Sequence, residues 1–90
     1  MPLIEKVTGF KKGGLIFLEC LSTGQPEPSV SFLTENNQSL EGVEGHVVQG
    51  TRLNIEEPSI QKSYTCVAEN IYGSDTKTVS GILTVFFLLS

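Results

Sequence analysis

Short stretches of alternating apolar and polar residues run along the whole chain and predict β-strands. In the clearest stretch Ile16 and Leu18 share the parity of Cys20, and in a second one Tyr64 shares the parity of Cys66. Glycine, proline and asparagine residues separate these stretches, which is typical of many short strands. We predict strands over residues 3–8, 15–22, 29–33, 46–48, 51–56, 63–70 and 76–85.

The strand pattern predicts an all-β fold, because no stretch of useful length has the 3.6-residue period of an amphipathic helix. Strands of this length and spacing pack as two antiparallel sheets in a β-sandwich. The chain has 90 residues, which is the length of one domain. We therefore predict a single domain over residues 1–90, with its core between about 3 and 85.

The two cysteines lie on inward-facing parities of two different predicted strands. A bridge between Cys20 and Cys66 would join the two sheets across the interior, and closing a loop of this length stabilises a fold by about 4 kcal/mol. The alternative is a pair of reduced, buried cysteines in an intracellular domain, since free cysteine is itself a common core residue. The oxidised form is the one we predict.

Four segments carry a resemblance to a known family. They are LEC at 18–20, GQPEPSVSF at 24–32, LNI at 53–55 and YTCVAENIYG at 64–73. Together they resemble an intermediate-set (I-set) immunoglobulin domain, over about residues 3–85. The resemblance implies an immunoglobulin-like antiparallel β-sandwich whose two sheets are joined by one disulfide, Cys20 to Cys66.

The resemblance also implies roles for two aromatic residues. Phe32 stands where the family usually places a tryptophan that packs on the disulfide. Tyr64 stands at the position of the tyrosine corner, where the hydroxyl bonds back to upstream backbone. We expect both rings inside the sandwich.

Composition excludes several classes of function. A formal net charge of −4 and a single arginine argue against nucleic-acid binding, which depends on clustered basic residues. The apolar run at 85–89 has five residues, too few to span a bilayer, so we expect no membrane insertion by this domain. The lone histidine, His46, is expected on an exposed edge, so we predict no catalytic residues, no metal site and no cofactor.

Recognition of other proteins through a surface is the function that remains. Parity predicts outward apolar side chains on both sheets, and the candidate contact residues are Leu15, Phe17 and Leu21 on one sheet and Leu33, Val67 and Ile82 on the other. The partners would be adjacent domains, a protein ligand or a second copy in a weak homodimer. Asn37 begins an Asn-Gln-Ser sequence, which is a possible N-glycosylation site.

We therefore expect one immunoglobulin-like domain of a multi-domain extracellular protein, such as a cell-adhesion molecule or a cell-surface receptor. The alternative is a structural domain of a cytoplasmic muscle or cytoskeletal scaffold protein, because similar I-set domains occur there as spacers and docking units.

Overall fold

Seven β-strands and one short turn of 3-10 helix build the structure, a computed structural model that describes residues 1–80. The strands are β1 (Leu3–Lys12), β2 (Leu15–Thr23), β3 (Ser29–Leu33), β4 (His46–Gln49), β5 (Arg52–Glu56), β6 (Ser63–Asn70) and β7 (Gly73–Ser80), and the 3-10 turn is Glu57–Ser59. No helix in the described part of the chain is long and apolar enough to cross a membrane. The end of the last predicted strand, at 81–85, lies outside the described residues.

The strands form two antiparallel sheets. One has four strands in the order β1-β2-β5-β4, and the other has three in the order β3-β6-β7. The predicted all-β sandwich of two antiparallel sheets is confirmed. Every strand places alternate side chains on the inner surface of its sheet, so the two sheets share one core.

The disulfide lies at the centre of this core. Cys20 on β2 is bonded to Cys66 on β6, with their Cα atoms 6.5 Å apart, so the predicted link between the sheets is confirmed. Phe32 is buried and lies directly opposite Cys66 in the β3–β6 ladder. The remaining buried apolar residues surround this group and are Ile4, Ile16, Leu18, Leu40, Leu53, Ile55, Tyr64 and Ala68.

Two strands extend by three or more residues beyond their predicted bounds, and β2 and β4 each extend by one residue. β1 continues past Gly9 to Lys12, and a turn with Gly13 in the left-handed region (φ 61°) brings the chain back into β2. β7 begins at Gly73, because a two-residue turn connects Asn70 to Gly73 in the β6–β7 ladder. Gly73 has φ 147°, which glycine adopts without strain.

The prediction that His46 is an exposed edge residue is wrong. β4 is an edge strand, but His46 has the inward parity, lies opposite Ile55 and is only 6% exposed. An edge strand leaves its backbone open on one side, whereas burial of its side chains depends on parity. His46 is therefore part of the interior.

Candidate interaction surface

The outer surface of the four-stranded sheet carries large apolar side chains where most sheets of this kind carry polar ones. We call this surface the apolar face. Its apolar members alternate with the inward residues of β1, β2 and β4, and they are Leu3, Phe10, Leu15, Phe17, Leu21 and Val47.

Exposure differs among these side chains. Phe10 is 42%, Leu21 47% and Val47 54% exposed, whereas Leu15 and Phe17 are half-buried. Single exposed apolar residues are ordinary, but several on one surface mark a contact site in many proteins. The sequence-predicted residues Leu15, Phe17 and Leu21 thus lie on one surface, together with Phe10 and Val47, which were not predicted.

An aromatic pair lies on this face. Phe10 on β1 is directly opposite Phe17 on β2, and the two rings stack with centroids 4.8 Å apart and an angle of 16° between their planes. The stacking covers part of Phe17 and leaves Phe10 as the more open ring. Aromatic pairs of this kind present a rigid apolar surface with little side-chain entropy to lose on binding.

Arg52 extends the aromatic pair with a positive charge. Its guanidinium carbon lies 5.4 Å from the ring centroid of Phe10 and 5.7 Å from that of Phe17, within the range of cation–π attraction. Glu19 lies opposite Arg52 in the β2–β5 ladder and accepts a hydrogen bond from its Nε at 3.3 Å. The hydroxyl of Thr51 donates to the same carboxylate, which fixes the acid beside the arginine.

A shallow cavity of about 370 Å³ lies on the apolar face, between β2 and β4. Leu15 and Val47 supply apolar walls, and Asn54 and Glu56 supply polar ones. Asn54 donates from Nδ2 to Oε1 of Gln49 at 3.0 Å, while its Oδ1 is buried and has no hydrogen-bond partner among residues 1–80. The cavity therefore combines an apolar wall with the carboxylate of Glu56.

The outer surface of the three-stranded sheet has a different composition, and we call it the hydroxyl face. Leu33 and Val67, both predicted as contact residues, point outward there but are half-buried. Threonine and serine dominate around them, at Ser29, Ser31, Ser63, Thr65, Ser74, Thr76, Thr78 and Ser80. Ile82, the remaining predicted contact residue, lies outside the described residues.

A hydrogen-bonded chain joins the two sheets below these faces. Nδ1 of His46 lies 2.8 Å from the carbonyl oxygen of Glu44, which can only accept, so Nδ1 carries the proton of the neutral ring. Nε2 then accepts from the hydroxyl of Tyr64 at 2.9 Å, and that hydroxyl accepts from the backbone N–H of Gln61 at 2.8 Å. The bond to Gln61 has the form expected of a tyrosine corner. His46 is the partner that the sequence alone did not predict.

Burial of Tyr64 is the main cause that raises the pKa of its hydroxyl above the ordinary value. The hydrogen bond from Gln61 opposes this effect, and the negative charge of Glu35 adds to it. The phenol therefore stays neutral at physiological pH. Its role is to hold His46 and the chain before β6 together.

The possible glycosylation site lies on an exposed turn. Asn37 has φ 62°, is exposed, and its backbone N–H donates to the carbonyl of Thr34 at 2.9 Å. The hydroxyl of Thr34 accepts hydrogen bonds from two further backbone N–H groups of the turn, those of Asn36 and Gln38. The side chain of Asn37 is thus accessible on a well-defined turn.

Comparison with known proteins places this structure among its relatives. A family model described as Immunoglobulin domain matches residues 4–70. The muscle M-line assembly protein unc-89 of Caenorhabditis elegans is 38% identical over 91 aligned residues, which covers 94% of this chain and 1% of that protein. Contactin-1a of Danio rerio is 36% identical over 61 residues, covering 68% of this chain and 5% of that protein.

A solved structure shows the same fold. The tandem Ig repeats of Dlar, a Drosophila receptor protein tyrosine phosphatase, superpose with a TM-score of 0.69 at 22% identity, covering 88% of this chain and 44% of that one. The present chain thus spans a small part of each curated relative named here.

Proposed function

The chain belongs to the immunoglobulin domain family, and on this premise we propose that it is a non-enzymatic protein-binding module, one domain of a multi-domain extracellular protein such as an adhesion molecule or a receptor. Immunoglobulin domains occur in relatives of quite different kinds, so the family alone supports a binding role without specifying the partner. The proposal therefore depends on the surface of this chain.

The observation that carries the proposal is the apolar face, with the stacked rings of Phe10 and Phe17 under the guanidinium of Arg52. Aromatic residues and arginine are enriched at the energetic centres of protein interfaces, because they bury much surface at a low cost in side-chain entropy. Around them lie Leu21 and Val47, each about half exposed. Such a patch favours contact with another folded protein.

Two features support an extracellular location. The bond between Cys20 and Cys66 is of a kind that persists in oxidising compartments and is rare in the cytosol. Asn37 lies on an exposed turn, where a glycan could be attached without disturbing the fold.

The binding role is tested by replacing apolar side chains of the apolar face with polar ones. The variant Phe10→Thr/Phe17→Thr/Val47→Thr replaces three apolar side chains with threonine, which keeps a high β-propensity. We expect the fluorescently labelled domain to bind intact cells that express its parent protein, and the variant to bind at least about tenfold more weakly.

The matched control makes the same kind of change on the opposite surface. Leu33→Thr/Val67→Thr alters two outward apolar residues of the hydroxyl face and should leave binding within about threefold of wild type. Thermal unfolding of both variants establishes that they are folded. Equal binding by wild type and the triple variant would refute the apolar face as the contact surface.

A second candidate function is that of a structural domain in an intracellular filament scaffold. The specific observation that favours it is the 38% identity to the muscle M-line assembly protein unc-89 over 94% of this chain. Alkylation of the protein from its own cells, before any reductant is added, separates the two candidates. Blocked cysteines support the extracellular module, and two alkylated cysteines support the scaffold.

A further inference from the structure

We propose that the partner bound by the apolar face is a second copy of this chain, packed face to face about a two-fold axis that crosses the strands. This inference rests on the proposed binding role and adds to it the identity of one partner. It is carried by two opposite charges on β5, Arg52 and Glu56, which such an axis places opposite each other.

Cross-strand pairing arranges the outward side chains in rows. The central row runs across all four strands and holds Phe10, Phe17, Asn54 and Val47. On one side of it the flanking row holds Thr8, Glu19, Arg52 and Gln49, and on the other side it holds Lys12, Leu15 and Glu56. An acid and a base therefore lie in each flanking row.

A two-fold axis along the central row inverts the order of the flanking rows. Every residue of the central row then faces its own counterpart, so the aromatic pair and Val47 meet the same apolar groups of the second copy. Each strand also faces its own counterpart, which places position 52 of one copy opposite position 56 of the other. Arg52 reaches Glu56 of the second copy by turning away from Glu19 and from the two rings, which uncovers the rings for their own counterparts. Two such contacts form, because an isologous interface repeats every contact.

Glu56 is free to receive that charge. The ion pairs among residues 1–80 are Lys11 with Glu57 and Arg52 with Glu19, so Glu56 belongs to neither. Glu56 also lines the cavity on the apolar face, beside the apolar side chains of Leu15 and Val47. An incoming guanidinium would meet a carboxylate beside an apolar wall, which suits the long apolar stem and charged head of arginine.

Arg52 and Glu56 do not pair within one copy. They lie four residues apart on the same strand and the same side of the sheet, which separates their Cα atoms by about 14 Å. Any electrostatic coupling between these two positions therefore reports contact between copies. This property makes charge reversal a direct test.

The size of the face indicates a weak dimer. Four strands span roughly 20 Å and three rows add a similar length, so each copy contributes about 400 Å² of surface, compared with about 800 Å² per partner in a standard interface. Association is therefore expected only at high protein concentration. Sedimentation equilibrium over a wide concentration range is the suitable measurement.

The experiment uses two single variants and their mixture. In R52E two acids meet across the axis and in E56R two bases meet, so each variant alone should associate at least about tenfold more weakly than wild type. In an equimolar mixture the acid introduced by R52E faces the base introduced by E56R, and the native pair forms on the other side of the axis. The mixture should recover association to within about threefold of wild type.

A matched control addresses the intramolecular partner of Arg52. E19R reverses the acid that Arg52 contacts within one copy, and a mixture of R52E with E19R should not recover association. Recovery in that mixture, or its absence in the mixture of R52E with E56R, would overturn the proposed axis. Thermal unfolding of each variant establishes that it is folded.

Failure of this inference differs from failure of the proposed function. A wild type that stays monomeric at the highest concentration, while the threonine triple variant still loses binding to cells, overturns the homodimer and leaves the binding role intact. A wild type that dimerises through this face, while the threonine triple variant binds cells as strongly as wild type, keeps the homodimer and overturns the assignment of cell binding to the apolar face.

Discussion

The two outer surfaces of this sandwich differ in chemistry although they are built by the same rules. Both belong to antiparallel sheets with apolar inner surfaces, and their residues alternate with the core residues except at a register shift in β1 between Ile4 and Lys6. The apolar face presents Phe10, Leu21 and Val47, whereas the hydroxyl face presents mainly serine and threonine around half-buried Leu33 and Val67. The fold therefore accepts either kind of outward surface.

The difference separates what folding requires from what it permits. Core packing requires apolar residues only at the inward positions of a strand. At the outward positions threonine favours the strand conformation as well as phenylalanine does. Exposed aromatic side chains add little to stability and increase the risk of association. Among the strands of residues 1–80 they lie on one face alone, which is the reason we propose that this face binds.

The largest expected effect concerns the disulfide, which joins the two sheets and so holds the two faces on opposite sides of the sandwich. Cys20→Ala/Cys66→Ala removes the staple between the sheets, and the free energy of unfolding should fall by about 4 kcal/mol. Urea unfolding measures the loss. Because β2 and β6 each carry one cysteine, hydrogen exchange should rise in both sheets together.

Reductant supplies the control for that experiment. It should lower the melting temperature of the wild type and leave that of the double variant unchanged. A loss of less than about 1 kcal/mol, or faster exchange confined to one sheet, would contradict a structural role for the bond in joining the two sheets.

The interior was more predictable from the sequence than the surface, for a physical reason. Parity is a local property, so Ile16, Leu18 and Cys20 could be assigned to the core from the residues around them, and all three are buried. Cross-strand register is not local. Phe10 lay beyond the predicted end of β1, because Gly9 and the turn after it suggested a break.

His46 and Arg52 show the same limit. A four-residue edge strand contains too few alternations to fix its parity, so the inward direction of His46 follows only from its pairing with Ile55. Arg52 gains its place over the two rings from strands that are distant in sequence. Apolar parity on β2 predicted part of the apolar face, and pairing supplied the rest.

The second expected effect concerns the hydrogen bonds of Tyr64, which also connect the two sheets. Tyr64→Phe removes the hydroxyl that donates to His46 and accepts from Gln61, and leaves a buried ring nitrogen and a partly buried backbone N–H without a partner. We expect a loss of about 2 kcal/mol in the free energy of unfolding. Tyr72→Phe, at an exposed turn, is the matched control and should change it by less than about 0.5 kcal/mol.

These two variants also predict a difference at alkaline pH. Burial raises the pKa of Tyr64 above its ordinary value of 10.0, so the phenol ionises more readily in the unfolded chain than in the folded one. The contribution of the buried phenol to the free energy of unfolding is complete below pH 10.0 and is lost as pH rises through the raised pKa of Tyr64. Wild type and Tyr72→Phe should therefore lose stability above about pH 10 more steeply than Tyr64→Phe, and parallel curves would contradict this.

A smaller effect is expected on the apolar face itself. Arg52 contacts Glu19 and the two rings at the surface, where solvent screens the charges. A double-mutant cycle of Arg52→Met and Glu19→Gln should give a coupling energy of about 0.5 kcal/mol, read from urea unfolding. A coupling energy above about 2 kcal/mol would mean that the contact between Arg52 and Glu19 serves stability, and it would weaken the proposed role of Arg52 in binding.

The smallest effect is expected on the hydroxyl face, at a cross-strand pair of threonines that is the counterpart of the aromatic pair on the apolar face. Thr65 and Thr78 lie opposite each other in the β6–β7 ladder, and their hydroxyl oxygens are 2.9 Å apart. A cycle of Thr65→Val and Thr78→Val keeps the branched shape and removes the hydrogen bond, so the coupling should be about 0.3 kcal/mol. Both single variants should also leave cell binding unchanged. Lost binding in Thr65→Val or Thr78→Val, with the fold intact, would move the contact to the hydroxyl face and reverse the functional assignment of the two surfaces.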